Sequence, residues 1–394
     1  MAEVPLAGRY DAVVFDLDGV IYLDDEVIPA APAAVRGVRE LGARVAFVTN
    51  NAVRPPSAVV ARLARLGIKA TVEEVLTSAQ AVVRLLGGER GLAGVKVLVV
   101  GGPGLRQALA AAGARLLEPT AWREAEVVVA GLDPDLDYGK LRGAVLAIAA
   151  GARFVGSNPD ASLPTPEGPW PGAGSVLALL STATGVRPQI AGKPERALFE
   201  TVAAALGPGA YLMVGDRPDT DLVGARALGW GTALVLTGVA RPATLLDLPA
   251  APDHLLADVG GLLAPPGPAI RPATAADAEA VARLLGPVSG GPGAGADRLA
   301  LVAASGAEAV GAVACAWRGE RARLEGLAVQ PPSRGRLVGA RLLLAACVEL
   351  RAAGVRRISA EVAAGGAART FLERLGFTPR PAAAGALVRL DRAL

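Results

Sequence analysis

Residues 13–22 read VVFDLDGVIY. The apolar run Val13-Val14-Phe15 predicts a short buried strand. The two acids Asp16 and Asp18 lie at its end and are followed at once by Gly19. Charged side chains are rarely buried without a partner, so two acids after an apolar strand indicate a counter-ion, most simply a hard divalent cation with oxygen ligands. Because Asp and Gly are also ordinary turn residues, a solvated turn is the alternative for this stretch alone.

Length and composition bound the fold class. At 394 residues the chain is too long for one ordinary domain, and it is 52% hydrophobic with only 4% aromatic residues. Runs typical of strands alternate with runs typical of helices, which predicts an α/β protein. No apolar stretch reaches the roughly 18 to 20 residues that a bilayer crossing needs, and the N-terminus lacks a basic segment followed by an apolar core. We therefore expect a cytoplasmic protein with no membrane partner.

Scarce residue types exclude several kinds of site. The only two cysteines, Cys315 and Cys347, exclude a disulfide framework, fit a reducing compartment and are most simply core residues. His254 is the only histidine, so a Ser-His-Asp triad or a multi-histidine metal site is set aside, and carboxylates become the candidate acid, base or nucleophile. From residue 268 onward, 17 arginines against 10 acids give a charge of +7. Without interleaved aromatic residues this predicts a solvated surface and no nucleic acid partner.

Polar groups follow strands at widely separated points of the chain. A second apolar strand, predicted at Ala43 to Val48, runs into Thr49-Asn50-Asn51, and another, Ala210 to Val214, ends in GDRPDTD at 215–221. The alternating strands and helices between Asn51 and Lys193 are too long for a loop and indicate an inserted domain. The predicted organisation is a core at 1–78 and 188–263, an inserted α/β domain at 79–187, a Pro/Gly linker at 264–268 and a C-terminal domain at 269–394.

The strand-end groups of the core form one candidate site, because ligands of an open parallel sheet collect outside the carboxyl ends of its strands. Its members are Asp16, Asp18, Thr49, Asn50, Lys193, Asp216 and Asp221. The carboxylates suit Mg²⁺, while threonine, asparagine and lysine donors suit the non-bridging oxygens of a phosphate. A phosphoryl group would then transfer to Asp16, and Asp18 would protonate the leaving oxygen and later activate the hydrolytic water.

These motifs, in this order, resemble those of the haloacid dehalogenase superfamily of phosphatases: DLDGV at 16–20, TNN at 49–51, Lys193 and GDRPDTD at 215–221. The resemblance implies a Rossmann-like core with a parallel sheet, in which Asp16 is the nucleophile and Asp18 the acid and base. It implies phosphate contacts from Thr49, Asn50, Asn51 and Lys193. It also implies Mg²⁺ bound by Asp16, the backbone carbonyl of Asp18 and Asp216, with Asp221 in support.

The inserted domain resembles the cap of one branch of that superfamily, which contains NagD-type nucleotide phosphatases and the phosphoglycolate and glycerol phosphate phosphatases. The stretch GSNPD at 156–160 is similar to that branch, so Asn158 and Asp160 are predicted either to face the site or to form a turn. The branch implies a small phosphorylated metabolite as substrate. Pairing this cap with an acetyltransferase-like tail is similar to actinobacterial glycerol 3-phosphate phosphatases, so glycerol 3-phosphate is the first expectation. Phosphoglycolate, a nucleoside monophosphate and pyridoxal phosphate are the alternatives.

The C-terminal domain resembles the GNAT-type N-acetyltransferase fold, an α+β fold, over about 125 residues that include ARTFLERLGF at 368–377. In the turn RGRLVG at 334–339, Leu337 stands where that family has glycine for close approach of the acetyl-CoA phosphates. Leu372 stands where its tyrosine acid is expected, and Glu325 is a candidate base or a solvated strand residue. Gly286 to Gly295 lies where substrate-binding helices are expected. The domain is predicted to be an acetyl-CoA-dependent acetyltransferase or a degenerate module for binding, packing or homodimerisation.

Overall fold

The computed structural model describes residues 3–88, 91–165, 167–286, 297–380 and 387–394. The chain divides into two compact units, one of Met1–Ala233 with Asp258–Ala264 and the other of Leu234–Ala257 with Pro265–Leu394. None of the helices in the described part of the chain has the length and apolar character that a bilayer crossing requires. Most of the Gly/Pro-rich stretch predicted to replace substrate-binding helices, residues 287–295, lies outside the described residues.

The first sheet of the N-terminal unit is built around the strand Ala12–Asp16, whose five residues are all buried. This strand pairs in parallel with Arg44–Thr49 on one side and with Tyr211–Gly215 on the other. Because both of its faces are covered, an unbroken apolar run is the sequence that such a central strand requires. Within this unit the strand order is Tyr211–Gly215, Ala12–Asp16, Arg44–Thr49 and Val75–Thr77. The chain also forms the strands Gly231–Val235 and His254–Leu256.

Helices that pack their apolar faces inward accompany this sheet. Thr77 begins the helix Ser78–Gly87 with a capping box, since its hydroxyl accepts from the backbone of Ala79 while Gln80 accepts from the backbone of Thr77. Residues 218–222 form a single π-helical turn two residues after the strand Tyr211–Gly215. The helices are Ala31–Glu40, Pro56–Arg65, Ser78–Gly87, Arg196–Leu206 and Val223–Arg226, with 3₁₀ turns at Ala7–Arg9 and Val259–Leu263 and a small hairpin of Tyr22–Leu23 and Glu26–Val27.

A second parallel sheet lies within the same unit. Its order is Gln189–Ile190, Arg153–Gly156, Val127–Ala130, Lys96–Val100 and Arg115–Leu117. The helices Pro103–Ala111, Tyr138–Ala149 and Ala173–Thr184 and the 3₁₀ segment Pro119–Glu124 accompany it, and an antiparallel hairpin, Ser162–Thr165 with Gly168–Pro171, precedes the last helix. The hairpin and the helix Ala173–Thr184 are not in our predictions. The predicted domain limits at 78/79 and 187/188 stay predictions.

The C-terminal unit holds a seven-stranded sheet that is largely antiparallel. The order is Ala269–Pro272, Asp297–Ser305, Glu308–Arg318, Arg321–Val329, Arg357–Ala363, Leu387–Ala393 and Thr378–Pro379. One pair is parallel, Arg321–Val329 with Arg357–Ala363, and it is paired from Arg321 opposite Arg357 to Leu324 opposite Ala360. The helices are Ala278–Leu285, Val338–Ala352 and Ala367–Arg374, and the 3₁₀ segments are Pro242–Asp247, Ala275–Asp277 and Pro331–Ser333.

The helix Val338–Ala352 supplies much of the core of this unit. Leu342, Leu343 and Cys347 on it are fully buried, and Cys315 of the strand Glu308–Arg318 is also buried. Both cysteines are free thiols, and burial raises the pKa of Cys347 to about 12. The prediction that they are core residues is therefore confirmed.

The α/β fold class is confirmed, including the parallel sheet of the core and the α+β tail. The strands predicted in the core fall within one or two residues of the observed ones; for example, the strand predicted at Ala43 to Val48 is Arg44–Thr49. The strands Asp297–Ser305 and Glu308–Arg318, of nine and eleven residues, are absent from our predictions. Their alanine-rich sequence carries little strand propensity, and their pairing with each other decides the structure.

The two sheets of the N-terminal unit approach each other through a glycine. The backbone N–H of Gly104 donates to the carbonyl of Val53 at 2.7 Å. A Cβ on Gly104 would lie 2.6 Å from the carbonyl carbon of Arg54 and 2.7 Å from the oxygen of Ala52. The segment that follows TNN is thus held directly against the start of the helix Pro103–Ala111.

Gly104→Ala should therefore destabilise the protein by about 1 to 3 kcal/mol, because the new methyl group meets backbone atoms that cannot move aside. Thermal unfolding of the full chain measures the effect. Gly365→Ala is the matched control, since a Cβ there meets nothing within 4 Å, and it should change the unfolding free energy by less than about 0.5 kcal/mol. Equal melting temperatures for the two variants would contradict the close approach.

Candidate active site

Asp16 stands at the end of the central strand, where the chain leaves the sheet. It is buried, and in the parallel register it lies beside Val48, one residue before Thr49. The rings of Phe15 and Phe47 stack at 5.9 Å between centroids just behind it. The apolar strands therefore fix the carboxylate of Asp16 at the carboxyl edge of the sheet, as the sequence predicts.

Lys193 lies between two of the predicted acids. Its Nζ is 2.5 Å from Oδ1 of Asp16 and 2.7 Å from Oδ1 of Asp221, and all three side chains are almost fully removed from solvent. The two aspartates raise the pKa of Lys193, outweighing burial, which lowers it. Lys193 is therefore a charged ammonium that bridges the motifs at 16–20 and 215–221.

Asp216 and Asp221 complete the acid cluster. One ligand oxygen from each of Asp16, Asp216 and Asp221 lies within 4.8 Å of the others. Gly215 allows this packing, because a Cβ there would lie 2.3 Å from Oδ2 of Asp221. The backbone N–H of Arg217 donates to the same oxygen at 3.1 Å, which closes the loop 215–221 on itself.

This cluster carries more negative than positive charge. The group consists of three buried carboxylates and one ammonium, so its formal charge is −2. Burial raises the pKa of Asp16 well above its ordinary value, and Asp221 and Asp216 raise it further against the opposing effect of Lys193. A divalent cation with oxygen ligands would balance the group, and its size and donor set fit Mg²⁺.

Asp18 has a different environment from Asp16. Gly19, at φ +81°, turns the chain back at this point, and its N–H donates to the carbonyl of Tyr22 at 2.7 Å. The side chain of Asp18 is exposed, yet the surrounding protein raises its pKa by desolvation, against the opposing effects of Arg62 and Lys193. Its carboxyl is not part of the three-acid group, and the predicted contact of its backbone carbonyl with a metal stays a prediction.

The TNN motif forms a tight loop held by its own side chains. The hydroxyl oxygen of Thr49 accepts from the backbone of Asn51 at 3.1 Å, and Oδ1 of Asn51 accepts from Val53 at 2.9 Å. The side chain of Asn50 turns toward Lys193, whose backbone N–H donates to its Oδ1 at 2.8 Å. The loop thus stands beside the lysine and the nucleophile candidate, and its predicted phosphate contacts stay predictions.

The NPD stretch at the end of the strand Arg153–Gly156 also reaches this site. The amide of Asn158 donates to the carbonyl of Asn50 at 2.7 Å. Asp160 accepts from Nδ2 of Asn50 at 2.9 Å and from Nη1 of Arg217 at 2.7 Å. Of the two interpretations that the sequence leaves open, the structure favours the one in which this segment contacts the site, although Asp160 also closes a turn by donating its N–H to Oδ1 of Asn158.

The sequence analysis did not assign a role to Arg217, Gly192 or Gly215. A Cβ on Gly192 would lie 2.6 Å from both Oδ1 of Asn50 and the carbonyl of Ser157, so only glycine lets these segments meet. Arg217 lies inside the GDRPDTD motif without an assigned role, and its guanidinium contacts a residue 57 positions away. The glycines before Lys193 and before Asp216 were visible in the sequence, but the contacts that require them were not.

The C-terminal unit differs from an acetyl-CoA site at the positions that the sequence singles out. Leu337 occupies the left-handed conformation at φ +57° directly before the helix Val338–Ala352, where a side chain is disfavoured. The ring of Phe371 lies 3.3 Å from the Cβ position of Gly339 in the first turn of that helix. Leu372 is buried, and Glu325 faces Arg298 at 3.9 Å. A bulky residue at the turn and a buried leucine do not fit the phosphate cradle and the acid that the family uses.

Sequence profiles of three families match the chain. The haloacid dehalogenase-like hydrolases match residues 13–115, a related HAD-hydrolase-like profile matches 190–262, and the acetyltransferase (GNAT) family matches 292–377. A 5′-nucleotidase, YutF, from Bacillus subtilis is 36% identical over 249 residues, which are 63% of this chain and 95% of that protein. The chain belongs to the haloacid dehalogenase-like hydrolases.

This hydrolase carries its GNAT-family domain at the C-terminal end, as predicted. D-glycerol 3-phosphate phosphatase from Mycobacterium tuberculosis is 42% identical over 234 residues, which cover 59% of this chain and 65% of that protein. A crystal structure of the glycerol phosphate phosphatase Rv1692 from the same organism, in complex with magnesium, matches with 32% identity and a TM-score of 0.73. That match covers 95% of this chain and 99% of the other, so the likeness includes the C-terminal domain.

The charge imbalance of the acid cluster predicts that Mg²⁺ stabilises the fold. At 100 times its dissociation constant a ligand specific for the folded state adds about 2.7 kcal/mol, which raises the melting temperature. Asp216→Asn should abolish most of this increase, while Asp25→Asn, at a fully exposed acid, should leave it unchanged. Thermal unfolding with and without Mg²⁺ is the measurement, and an equal shift in both variants would place the cation elsewhere.

Proposed function

We propose that this hydrolase is a Mg²⁺-dependent phosphatase that cleaves small phosphomonoesters through a phosphoryl group held on Asp16. The observation that carries the proposal is the buried group of Asp16, Asp216 and Asp221 with Lys193 between two of them. A carboxylate at the edge of such a group can approach an anionic phosphorus once its charge is balanced.

In the first half of the reaction, an oxygen of Asp16 attacks phosphorus and the bond from phosphorus to the ester oxygen breaks. Asp18, two residues on and open to solvent, donates a proton to the leaving oxygen, so that an alcohol and not an alkoxide departs. Its raised pKa favours the protonated form that this step needs. The product of this half is an acyl phosphate on Asp16.

In the second half, the carboxylate of Asp18 takes a proton from water, the water oxygen attacks phosphorus, and the bond to Asp16 breaks to release inorganic phosphate. One residue thus serves as acid and then as base. Asp16, Asp216 and the backbone carbonyl of Asp18, with Asp221 in support, would hold Mg²⁺, which would supply the positive charge that balances the acids and the transferring group.

Three side chains are proposed to bind the phosphate oxygens: Thr49, Asn51 and Lys193. Lys193 provides a fixed positive charge, and the TNN loop provides neutral donors beside it. The amide of Asn50 already bonds Lys193 and Asp160, and its predicted phosphate contact stays a prediction. The cap, with Asn158 and Asp160 at its edge, would close the site and exclude water.

Glycerol 3-phosphate is the proposed substrate. The support is the 42% identity to a D-glycerol 3-phosphate phosphatase and the likeness that extends over the C-terminal domain. A nucleoside monophosphate is the competitor, supported by the identity to a 5′-nucleotidase, and phosphoglycolate and pyridoxal phosphate stay as further alternatives. Phosphate release from these four esters, compared as kcat/KM, selects among them.

We also propose that the protein works in the cytoplasm, which its two buried free thiols support.

The GNAT-family domain is proposed to serve as a binding or packing module, and a homodimer is one form that this could take. Comparing the mass in solution of the full-length and the truncated protein would detect such a dimer.

Asp16→Asn should lower phosphate release from p-nitrophenyl phosphate by about three orders of magnitude or more, because an amide cannot accept the phosphoryl group. Chelation by EDTA should have the same effect, and added Mg²⁺ should reverse it. Circular dichroism and thermal unfolding confirm that the variant is folded. Full activity in a folded Asp16→Asn variant would remove the proposal.

The full chain should show no saturable binding of acetyl-CoA, because Leu337 and Phe371 stand at the turn where its phosphates would approach. Isothermal titration calorimetry with acetyl-CoA is the measurement. Saturable binding, together with acetyl transfer to an amine, would instead support the alternative of a bifunctional enzyme.

A further inference from the structure

We infer that Asp160 and Arg217 form a positioning pair: they fix the amide of Asn50 and, through it, the backbone of Lys193, while Arg217 neutralises a carboxylate that would otherwise repel the phosphate. The inference rests on the proposed function for its kinetic readout. It concerns two residues to which the proposed mechanism gives no chemical step.

The amide of Asn50 clamps the backbone of Lys193 from both sides. Oδ1 of Asn50 accepts from the N–H of Lys193 at 2.8 Å, and Nδ2 donates to the carbonyl of Lys193 at 3.1 Å. Since the side chain of Lys193 is long and flexible, the position of its Nζ depends on a fixed backbone as well as on its two carboxylate partners. Asn50 supplies that fixation from a loop 143 residues away in the chain.

Asp160 adds a third contact that selects one orientation of this amide. Its Oδ2 accepts from Nδ2 of Asn50 at 2.9 Å. An ionised carboxylate only accepts hydrogen bonds, so turning the amide over would set its oxygen against Asp160 and its N–H₂ against the N–H of Lys193. The orientation with Oδ1 toward the Lys193 N–H is therefore the one in which every contact is satisfied.

Arg217 balances the charge of Asp160. Its Nη1 donates to Oδ1 of Asp160 at 2.7 Å, and its Nη2 donates to Oδ2 of Asp219 at 3.0 Å. The two side chains of the pair are only 33% and 18% exposed, so the interaction is partly shielded from solvent. Two of the arginine's donors are thus committed to carboxylates.

Both members of the pair are connected to the site through their backbone segments. Arg217 directly follows Asp216, and its N–H donates to Oδ2 of Asp221 at 3.1 Å. Asp160 lies in the segment where Asn158 bonds the carbonyl of Asn50 at 2.7 Å. Loss of Arg217 would leave an unbalanced carboxylate bonded to the TNN loop, and a phosphate dianion approaching Thr49 and Asn51 would meet that charge.

Three variants test the pair through the direction in which KM and kcat change: Arg217→Gln, Asp160→Asn and the double variant. Arg217→Gln should raise KM about tenfold with kcat changed less than about threefold, because the exposed charge of Asp160 weakens substrate binding. Asp160→Asn removes that charge and should lower kcat about threefold to tenfold through a less well fixed Asn50, with little change in KM. The double variant should return KM to within about threefold of the unmodified protein.

A direct contact of Arg217 with the substrate predicts the opposite. The double variant would then keep the high KM of Arg217→Gln, and that result would overturn the inference. Lys96→Gln is the matched control, because Lys96 pairs with Glu124 at 3.2 Å and is likewise 33% exposed. This control should leave both kcat and KM unchanged.

The melting temperatures of the variants test the pair independently of whether the proposed function is correct. The melting temperatures of the same variants form a double-mutant cycle, in which a real pair gives a smaller loss for the double variant than the sum of the single losses. Additive losses contradict the pair even if the protein hydrolyses none of the esters offered. Coupled losses without any recovery of KM would show a structural pair only and would also overturn the positioning role.

Discussion

The burial of three carboxylates around one ammonium is the constraint on which the rest of the structure depends. Asp16, Asp216 and Asp221 meet at the carboxyl edge of a parallel sheet, and Lys193 contacts two of them. Burying charge is costly unless each charge is paired and hydrogen-bonded, so the neighbouring segments are shaped to bring partners in closely. Gly192 and Gly215 follow from this, since a side chain at either position would displace Asn50 or Asp221.

The excess negative charge of this cluster affects both the stability of the fold and the reaction that the site can carry out. A buried cluster with excess negative charge is costly for the fold, and the same excess suits it to bind a hard cation. Once that charge is balanced, the group is also the place where a phosphoryl dianion can approach a carboxylate. The cap then contributes Asn158 and Asp160 at its edge, so that a segment more than a hundred residues from TNN holds TNN in place.

Much of the core could be predicted from the sequence because the signals there are local. An apolar run followed by an acid predicts a strand end, and parallel strands end at one edge, so Asp16, Thr49 and Asp216 could be placed together without coordinates. The contacts of Asp160 with Asn50 and Arg217 could not be predicted, because they join segments 110 and 57 positions apart and depend on how the two sheets face each other. The strands Asp297–Ser305 and Glu308–Arg318 were missed since alanine-rich strands are specified by their partners and not by their own pattern.

The C-terminal domain keeps the fold of the GNAT family but carries different residues at the turn before its long helix. The parallel pair in a mostly antiparallel sheet and the buried helix Val338–Ala352 are in place, but Leu337 precedes that helix in a conformation that favours glycine. Membership of a fold and family therefore does not fix the ligand of this domain, which depends on residues such as Leu337 at the turn before the helix.

The central claim is that Asp16 accepts the phosphoryl group. Rapid quenching during turnover, reduction with borohydride and peptide mass spectrometry test it most directly, because borohydride converts an aspartyl phosphate to homoserine. We expect homoserine at position 16 in samples quenched with substrate and Mg²⁺, and none in samples with EDTA. Homoserine at position 18 or 216 instead, or none at any acid while phosphate is being released at saturating substrate, would contradict it.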